Sequence, residues 1–402
     1  MTNKKTARES TGKIRSAGKT APTQAEALGK LSKNFVAHNP EPAYMDREEA
    51  LLSYRSYYHP LSCAKGKMLA EEALSFPDLP FFRNGRILSP FRIMDWGTGT
   101  GGFLEGVLQT VLPRLEPDIP VNAFLVDRSL SALSLARETI GQLVGGRGTL
   151  STQCLRLPDM PDMPGNLDVL LQANVLAEHP ESAGAFVPLL GKGIHRLVNG
   201  GLLILAEPAD RLSSRTLLSV RDALIATFPG LFRILSPCPN GQNAPCPALR
   251  DERDWCHEDR AFIFSREIRE MARAVGHVRD ALKMTYLIAQ KTAQPSPAPT
   301  GTPDRTVLRL VSELKKERGM AWGIFCDGRE RHRIRLLLRH KNKGNSLFLE
   351  LSRGDGIWTH PPDNLPRHGP FLDLSSDDRI ERIDPLTSHA KENVTSHAKE
   401  NG

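Results

Sequence analysis

The sequence predicts an α/β protein built on a doubly wound sheet, with a helical segment before the sheet and a small β module after it. Two observations carry this. Residues 91–291 alternate strand-like apolar runs with helical periods, the pattern of a largely parallel sheet covered on both faces. Within them, Ile93-Met94-Asp95-Trp96-Gly97-Thr98-Gly99-Thr100-Gly101-Gly102-Phe103 reads as a strand end, a glycine turn and a helix start. Strands are expected near 91–96, 121–127, 151–156, 167–173, 201–207, 231–236 and 284–291, with helices between them.

The turn is where a nucleotide would sit. Glycines let the backbone take φ > 0 and let a ligand approach without meeting a Cβ, and the helix that follows offers free N–H groups. The spacing fits a dinucleotide fingerprint through Gly97, Gly99 and Gly102, and the tighter turn of S-adenosylmethionine enzymes through Gly97, Gly99 and Gly101. Asp95 decides between them. Two residues before the first glycine, it would repel a pyrophosphate but attract the ammonium and sulfonium of a methyl donor. Asp127, closing the second strand, is placed to hold ribose hydroxyls. Asn174, after the strand at 167–173, stands at the carboxyl edge where ligands of such sheets bind. Asp159 and Asp162 lie in the loop after the third strand, either near the adenine amino group or as solvated turn residues. The fold is therefore read as a class I S-adenosylmethionine methyltransferase-like sheet.

At 402 residues the chain is long enough for a large core plus one or two small modules. Hydrophobic residues at 40% and charged residues at 25% are ordinary for a globular protein. With no long apolar run and no secretory leader, the chain reads as intracellular and free of membrane contact: cytoplasmic in a bacterium, in the mitochondrial matrix in a eukaryote. A monomer is expected. The net charge of +7 is concentrated in two places. Residues 1–33 hold eight Lys and Arg against two acids, and residues 329–343 hold seven against one. Such patches suit RNA contact or serve as solubilising charge.

In chain order, 1–40 reads as a disordered basic tail, because it has almost no large apolar residue before Leu28. The segment 41–90 reads as helical, with one helix running from Asp46 to about Tyr58 and another starting after Pro60. Tyr54, Tyr57 and Tyr58 are read as packing residues rather than base-stacking ones. The methyltransferase-like domain, 91–291, contains a Cys-rich loop at 236–258. Beyond it come a Pro-rich linker at 292–304, a small basic β module at 305–360 with strands at 321–326, 331–338 and 346–352, and a disordered tail at 361–402. In the tail Thr387-Ser388-His389-Ala390-Lys391-Glu392-Asn393 is repeated at 395–401.

The Cys-rich loop is the second chemical signal. Cys238-Pro239, Cys246-Pro247 and Asp254-Trp255-Cys256-His257 gather three thiols on proline-stiffened chain, a donor set for a soft metal. His257 and the later Cys326 are both candidates for the fourth ligand. Zinc accepts either, and an iron–sulfur cluster prefers the thiol. Cys63 and Cys154 lack such company.

Together, the Asp95 to Gly101 turn, the Glu207-Pro208 strand end and the cysteine loop resemble the methyltransferase-like assembly factors of the small ribosomal subunit. The mitochondrial members of that family are called methyltransferase-like protein seventeen, and bacteria carry relatives. The resemblance covers about residues 44–345. It implies binding to the small ribosomal subunit and its rRNA, and a 4Fe-4S cluster held by Cys238, Cys246, Cys256 and Cys326.

Within the basic module, Arg331, Arg333 and Arg335 recur at period two and would form a stripe that continues to Arg339, Lys341 and Lys343. Arg331, Arg333, Arg335, Arg339 and Lys341 are the RNA-binding candidates. No catalytic base or nucleophile is legible, since Asn174-Val175-Leu176-Ala177 lacks the Pro-Pro-aromatic signature of many base-nitrogen methyltransferases. The leading reading is a cofactor-binding, cluster-bearing factor of the small subunit. The alternatives are an active rRNA methyltransferase and a zinc-stabilised small-molecule methyltransferase.

Overall fold

The computed structural model describes residues 24–38, 43–76, 79–87, 89–159, 161–239, 244–277, 280–293, 306–360 and 362–383. Its central sheet is formed by β1 (Phe91–Trp96), β2 (Val121–Asp127), β3 (Gly148–Cys154), β4 (Leu167–Ala173), β5 (Leu197–Glu207), β6 (Phe232–Ser236) and β7 (Ala281–Lys291). Their order across the sheet is β3-β2-β1-β4-β5-β7-β6. The first five are parallel, and β7 runs antiparallel between β5 and β6. This is the class I methyltransferase arrangement expected from the sequence.

Alternation along the strands separates two cores. Ile93, Val169, Leu171, Ile204 and Ile288 face one side; Met94, Trp96, Leu170, Leu203 and Leu205 face the other. A strand buried on both faces reads as an unbroken apolar run, which is why β5, with Leu202-Leu203-Ile204-Leu205-Ala206, was legible. Helices α3 (Gly102–Val111) and α4 (Leu130–Val144) cover the first side, while α5 (Phe186–Arg196) and α6 (Arg211–Thr227) cover the second.

Two N-terminal expectations are corrected. Helix α1, Gln24–Val36, occupies part of the stretch read as a disordered tail, because Leu28 and Leu31 bury against Tyr57 and Tyr44. The helix expected to break at Pro60 continues as α2, Glu48–Leu74. Packing against α3 outweighs the one hydrogen bond that proline removes. The helix backbones touch: a Cβ on Gly106 would lie 1.9 Å from Cys63 O, and one on Gly66 would lie 2.1 Å from Phe103 O. Replacing Gly106 with valine is expected to lower stability by about 3 kcal/mol or more. Urea unfolding tests this, and an unchanged midpoint would refute the close helix contact. Tyr54, Tyr57 and Tyr58 form a packed aromatic cluster with Phe35 and Tyr44, as expected.

After α7 (Arg266–Ala274) and β7, a second sheet contains β8 (Thr306–Leu310), β9 (Lys315–Glu317), β10 (Met320–Cys326), β11 (Arg331–Leu337), β12 (Gly356–Thr359), β13 (Phe371–Leu374) and β14 (Glu381–Ile383). The module therefore extends past 360. Leu365, Leu372, Leu374, Ile380 and Ile383 are buried in the region expected to be a disordered tail. Residues 346–352 do not form a strand. Ser346–Glu350 is a short 3-10 turn that inserts Phe348 into the core, after a turn in which Asn345 Oδ1 accepts from Asn342 N at 2.9 Å. The tail copies at 387–401, most of the linker and residues 1–23 lie outside the described residues.

Candidate functional site

The glycine turn after β1 holds Gly97, Gly99 and Gly101 at φ 71°, 53° and 86°, a region that favours glycine. Asp95 is 1% exposed, and its Oδ2 accepts from Thr98 Oγ1 at 2.8 Å. Its Oδ1 is buried without a hydrogen-bond partner. Burial raises the Asp95 pKa to about 7. A lone buried carboxylate oxygen at the mouth of a glycine turn is what an ammonium group would satisfy, so these residues fit S-adenosylmethionine. Asp127 Oδ2 accepts from Gly99 N at 2.7 Å and its Oδ1 from Ser129 N at 2.9 Å, so this acid also fixes the turn. Asn174 takes a left-handed conformation, φ 57°, and lines the same cleft. The three glycines do not share one role. A Cβ on Gly101 would meet Ala136 on α4, so Gly101 serves helix packing, while Gly99 faces Met45.

Sequence reasoning missed the cover of this cleft. Tyr44, Met45 and Tyr54 come from the N-terminal segment, and Arg128, Glu178 and His179 from the sheet loops. Tyr44 donates to Glu178 Oε1 at 2.9 Å, and Arg128 to Glu178 Oε2 at 2.9 Å. Glu207 Oε1 and Oε2 accept from the backbone N–H groups of Val175, Leu176 and Ala177, pinning the turn after β4. Burial, opposed by those three donors, raises the Glu207 pKa to about 8. The cleft is walled by Leu155, Arg156 and Leu157, whereas Asp159 and Asp162 are exposed and do not line it.

The second site lies where the two sheets meet. Cys238, Cys246, Cys256 and Cys326, from four separate segments, line one cavity together with His257, Arg221, Arg309 and Arg331. Among the described residues, no three His, Cys, Asp or Glu side chains stand at metal-holding geometry. The donor set nevertheless fits a thiolate-bound metal or cluster. Burial raises the Cys246 and Cys256 pKa values, and that of Cys326 to about 12, with neighbouring thiols adding to the rise in each case. Arg331 Nε is a buried N–H without an acceptor, and Arg331 lies close enough to Cys256 and Cys326 to interact with their charges. A metal or cluster would turn the thiols into thiolates and give such donors an acceptor. Cys326 interacts electrostatically with Cys256 and Cys238, whereas His257 stacks on Trp255 and interacts with Arg353 and Asp259.

Ion pairs hold this joint. Arg309 forks Glu258 at 2.6 and 3.0 Å and donates to Pro237 O at 2.9 Å. Arg331 pairs with Asp254, two residues before Cys256. A Cβ on Gly328 would lie 2.4 Å from Pro239 O, so the turn after Cys326 rests directly on the Cys238 loop.

The basic stripe is corrected by these partners. Arg331 faces the thiol cavity, and Arg335 is forked to Asp373 at 2.7 and 2.8 Å. Arg333, Arg339 and Lys341 are exposed.

Residues 163–353 match the family described as mitochondrial small ribosomal subunit Rsm22. The matched stretch is slightly less than half of the chain. It holds all four cavity cysteines and the basic strand, and it begins after the glycine turn. No curated protein matches the chain. Among solved structures, the plantazolicin methyltransferase BpumL in complex with SAH is 13% identical, with 67% of this chain and 96% of that chain covered and a TM-score of 0.34. Magnesium protoporphyrin IX methyltransferase (ChlM) from Synechocystis PCC 6803 is 14% identical over 57% of this chain and 83% of its own, with a TM-score of 0.30. Precorrin-6y C5,15-methyltransferase from Geobacter metallireducens GS-15 is 12% identical over 56% and 87%, with a TM-score of 0.31. Among the described residues, no helix is long and apolar enough to cross a membrane.

Proposed function

We propose that this chain is a methyltransferase-like factor of the small ribosomal subunit that binds S-adenosylmethionine at the β1 turn and carries a 4Fe-4S cluster on Cys238, Cys246, Cys256 and Cys326. The observation that carries the reading is the meeting of four distant thiols at one cavity, inside the stretch that matches Rsm22. When bound, such a cluster supplies iron–thiolate bonds that tie the C-terminal sheet to the methyltransferase-like domain. Asp95 would hold the ammonium of the methyl donor and Asp127 the ribose, while Tyr44 and Met45 shield it from water. The turn at Asn174–Ala177, at the carboxyl edge beside the proposed cofactor site, is held by Glu207 through its backbone.

Binding to rRNA is assigned to Arg333, Arg339 and Lys341. The purified full chain is expected to sediment with small subunits in a sucrose gradient. Reversing these three residues to glutamate should weaken that association and make the slope of log K against log salt concentration shallower by roughly 0.7–0.9 for each phosphate no longer neutralised. A parent chain that stays at the top of the gradient would overturn the small-subunit reading. A triple variant indistinguishable from the parent would overturn the assignment of these residues.

A further inference from the structure

One face of the C-terminal sheet begins at the thiol cavity and runs outward. Cross-strand partners lie on the same face. Arg309, Cys326 and Arg331 are register partners at the cavity end. Two residues farther along, Ile324 pairs with Arg333. The next row is Lys315, Trp322, Arg335 and Asp373, contributed by β9, β10, β11 and β13. Phe371 lies two residues before Asp373 and meets Trp322 edge to face, with centroids 5.5 Å apart. Each ring is overlaid by a cation: Lys315 Nζ is 4.6 Å from the Trp322 centroid, and the Arg335 guanidinium carbon is 4.6 Å from that of Phe371. Trp322 and Phe371 are half-buried, while Lys315, Arg333, Arg367 and His368 are exposed.

This composition discriminates among partners. A face made only for solubility needs no aromatic rings, and a protein-docking core is depleted of charge. A duplex keeps its bases stacked inside and offers chiefly its phosphates, for which rings have no use. Rings set among cations suit a single strand, whose bases stack on the rings while its phosphates meet the cations. The acids on the face do not undo this, because Asp373 is taken up by Arg335 and by His368 Nδ1 at 2.8 Å, and Glu317 accepts from Trp322 Nε1 at 2.9 Å. Lys315 is exposed and overlies the indole, so a base can take its place there and leave its ammonium for the next phosphate.

We propose that the outer face of the C-terminal sheet binds single-stranded RNA, with a base stacking on Trp322 beside Phe371 and phosphates meeting Lys315 and Arg333. This deepens the small-subunit reading by naming the RNA form that the module recognises. Trp322 is four residues from Cys326 along β10, about 13 Å, so the strand that presents the ring is anchored at the thiol cavity.

The test uses the full chain, purified without oxygen, and a labelled oligouridylate of about 12 nucleotides, read by fluorescence anisotropy. Trp322→Ala is expected to weaken binding about tenfold or more, and Trp322→Phe to restore most of it, with circular dichroism and iron content unchanged. A duplex of the same length should bind more weakly and not respond to Trp322→Ala. Equal binding by parent and Trp322→Ala, an equal loss in Trp322→Phe, or a preference for duplex would each overturn the proposal. If Trp322→Ala loses iron, Lys315→Glu combined with Arg333→Glu, both at exposed positions, carries the test on the same oligonucleotide. If the parent sediments with small subunits but ignores the oligonucleotide, this inference fails and the broader function stands.

Discussion

The parent, purified without oxygen, is expected to carry about four irons and four sulfides per chain with a broad visible absorption, and Cys256→Ser to lose all three. Cys326→Ser should do the same, although this thiol comes from a different sheet and lies 70 residues farther along the chain. The reason is geometric: the cavity is closed by thiols from both sides of the joint, so removing either side leaves an incomplete set. The loss should also loosen the joint. Arg309–Glu258 and Arg331–Asp254 remain, but buried thiols without metal add nothing to their grip, and the melting temperature should fall by about 5 °C or more. Cleavage by a dilute protease between 292 and 304 should become faster in Cys326→Ser. Cys154→Ser, at an exposed position away from the cavity, should match the parent in every respect. One zinc without sulfide in the parent would replace the cluster with a zinc clip, and full metal content in both variants would remove these cysteines from the site.

Cys238, Cys246 and Cys256 were legible as one group because three thiols fall within 19 residues and two of them sit between prolines, whereas Cys326 was only one of two candidates for the fourth place, since nothing in the chain between them shows that it comes near. Arginine spacing is less informative. Arg331, Arg333 and Arg335 form the same sequence pattern, yet their fates diverge because Asp254 lies 77 residues from Arg331 and Asp373 lies 38 from Arg335. Strand periodicity gives the face, and only the tertiary partner says whether a charge is spent within the protein. The sheet was legible through strands such as β5, whose apolar run at 202–206 has one explanation. The register of Cys326 with both Arg309 and Arg331 was not, because it depends on how β8 and β11 flank β10. Pro60 misled because its local cost was weighed without the glycine-lined groove that α2 shares with α3. Helix α1 escaped because its apolar positions, Leu28, Leu31 and Phe35, are few and set among small and polar residues. Residues 371–383 escaped similarly, with Phe371, Leu372 and Leu374 separated from Ile380 and Ile383 by a run of serine and aspartate.

Asp95→Asn should reduce affinity for S-adenosylmethionine about 30- to 1,000-fold in calorimetric titration. The substitution keeps the shape and removes the charge, and leaving an ammonium against a neutral amide at a buried site costs about 2–4 kcal/mol. The parent should also show a pH signature that the variant lacks. Burial, with a further contribution from nearby Asp127, raises the Asp95 pKa to about 7 in the ligand-free protein. Below that pH the acid is protonated and cannot pair with the ammonium, so parent affinity should fall toward a limit of about tenfold per unit as pH drops from 7, while the asparagine variant stays nearly flat over the same range. Gly99→Val provides a second route to the same loss: it strains a backbone at φ 53° and directs its side chain toward Met45 in the cleft. A variant that binds as tightly as the parent, or a parent whose affinity is the same at pH 6 and pH 7.5, would remove Asp95 from the site. Stability supplies the complementary test. A carboxyl whose folded pKa is raised contributes stability that is present below its unfolded value, near 4, and is lost as pH rises through 7. Ligand-free Asp95→Asn should therefore melt at or above the parent at pH 8 while binding far less cofactor. A buried charge that weakens the empty protein and strengthens the bound one is accounted for by its ligand.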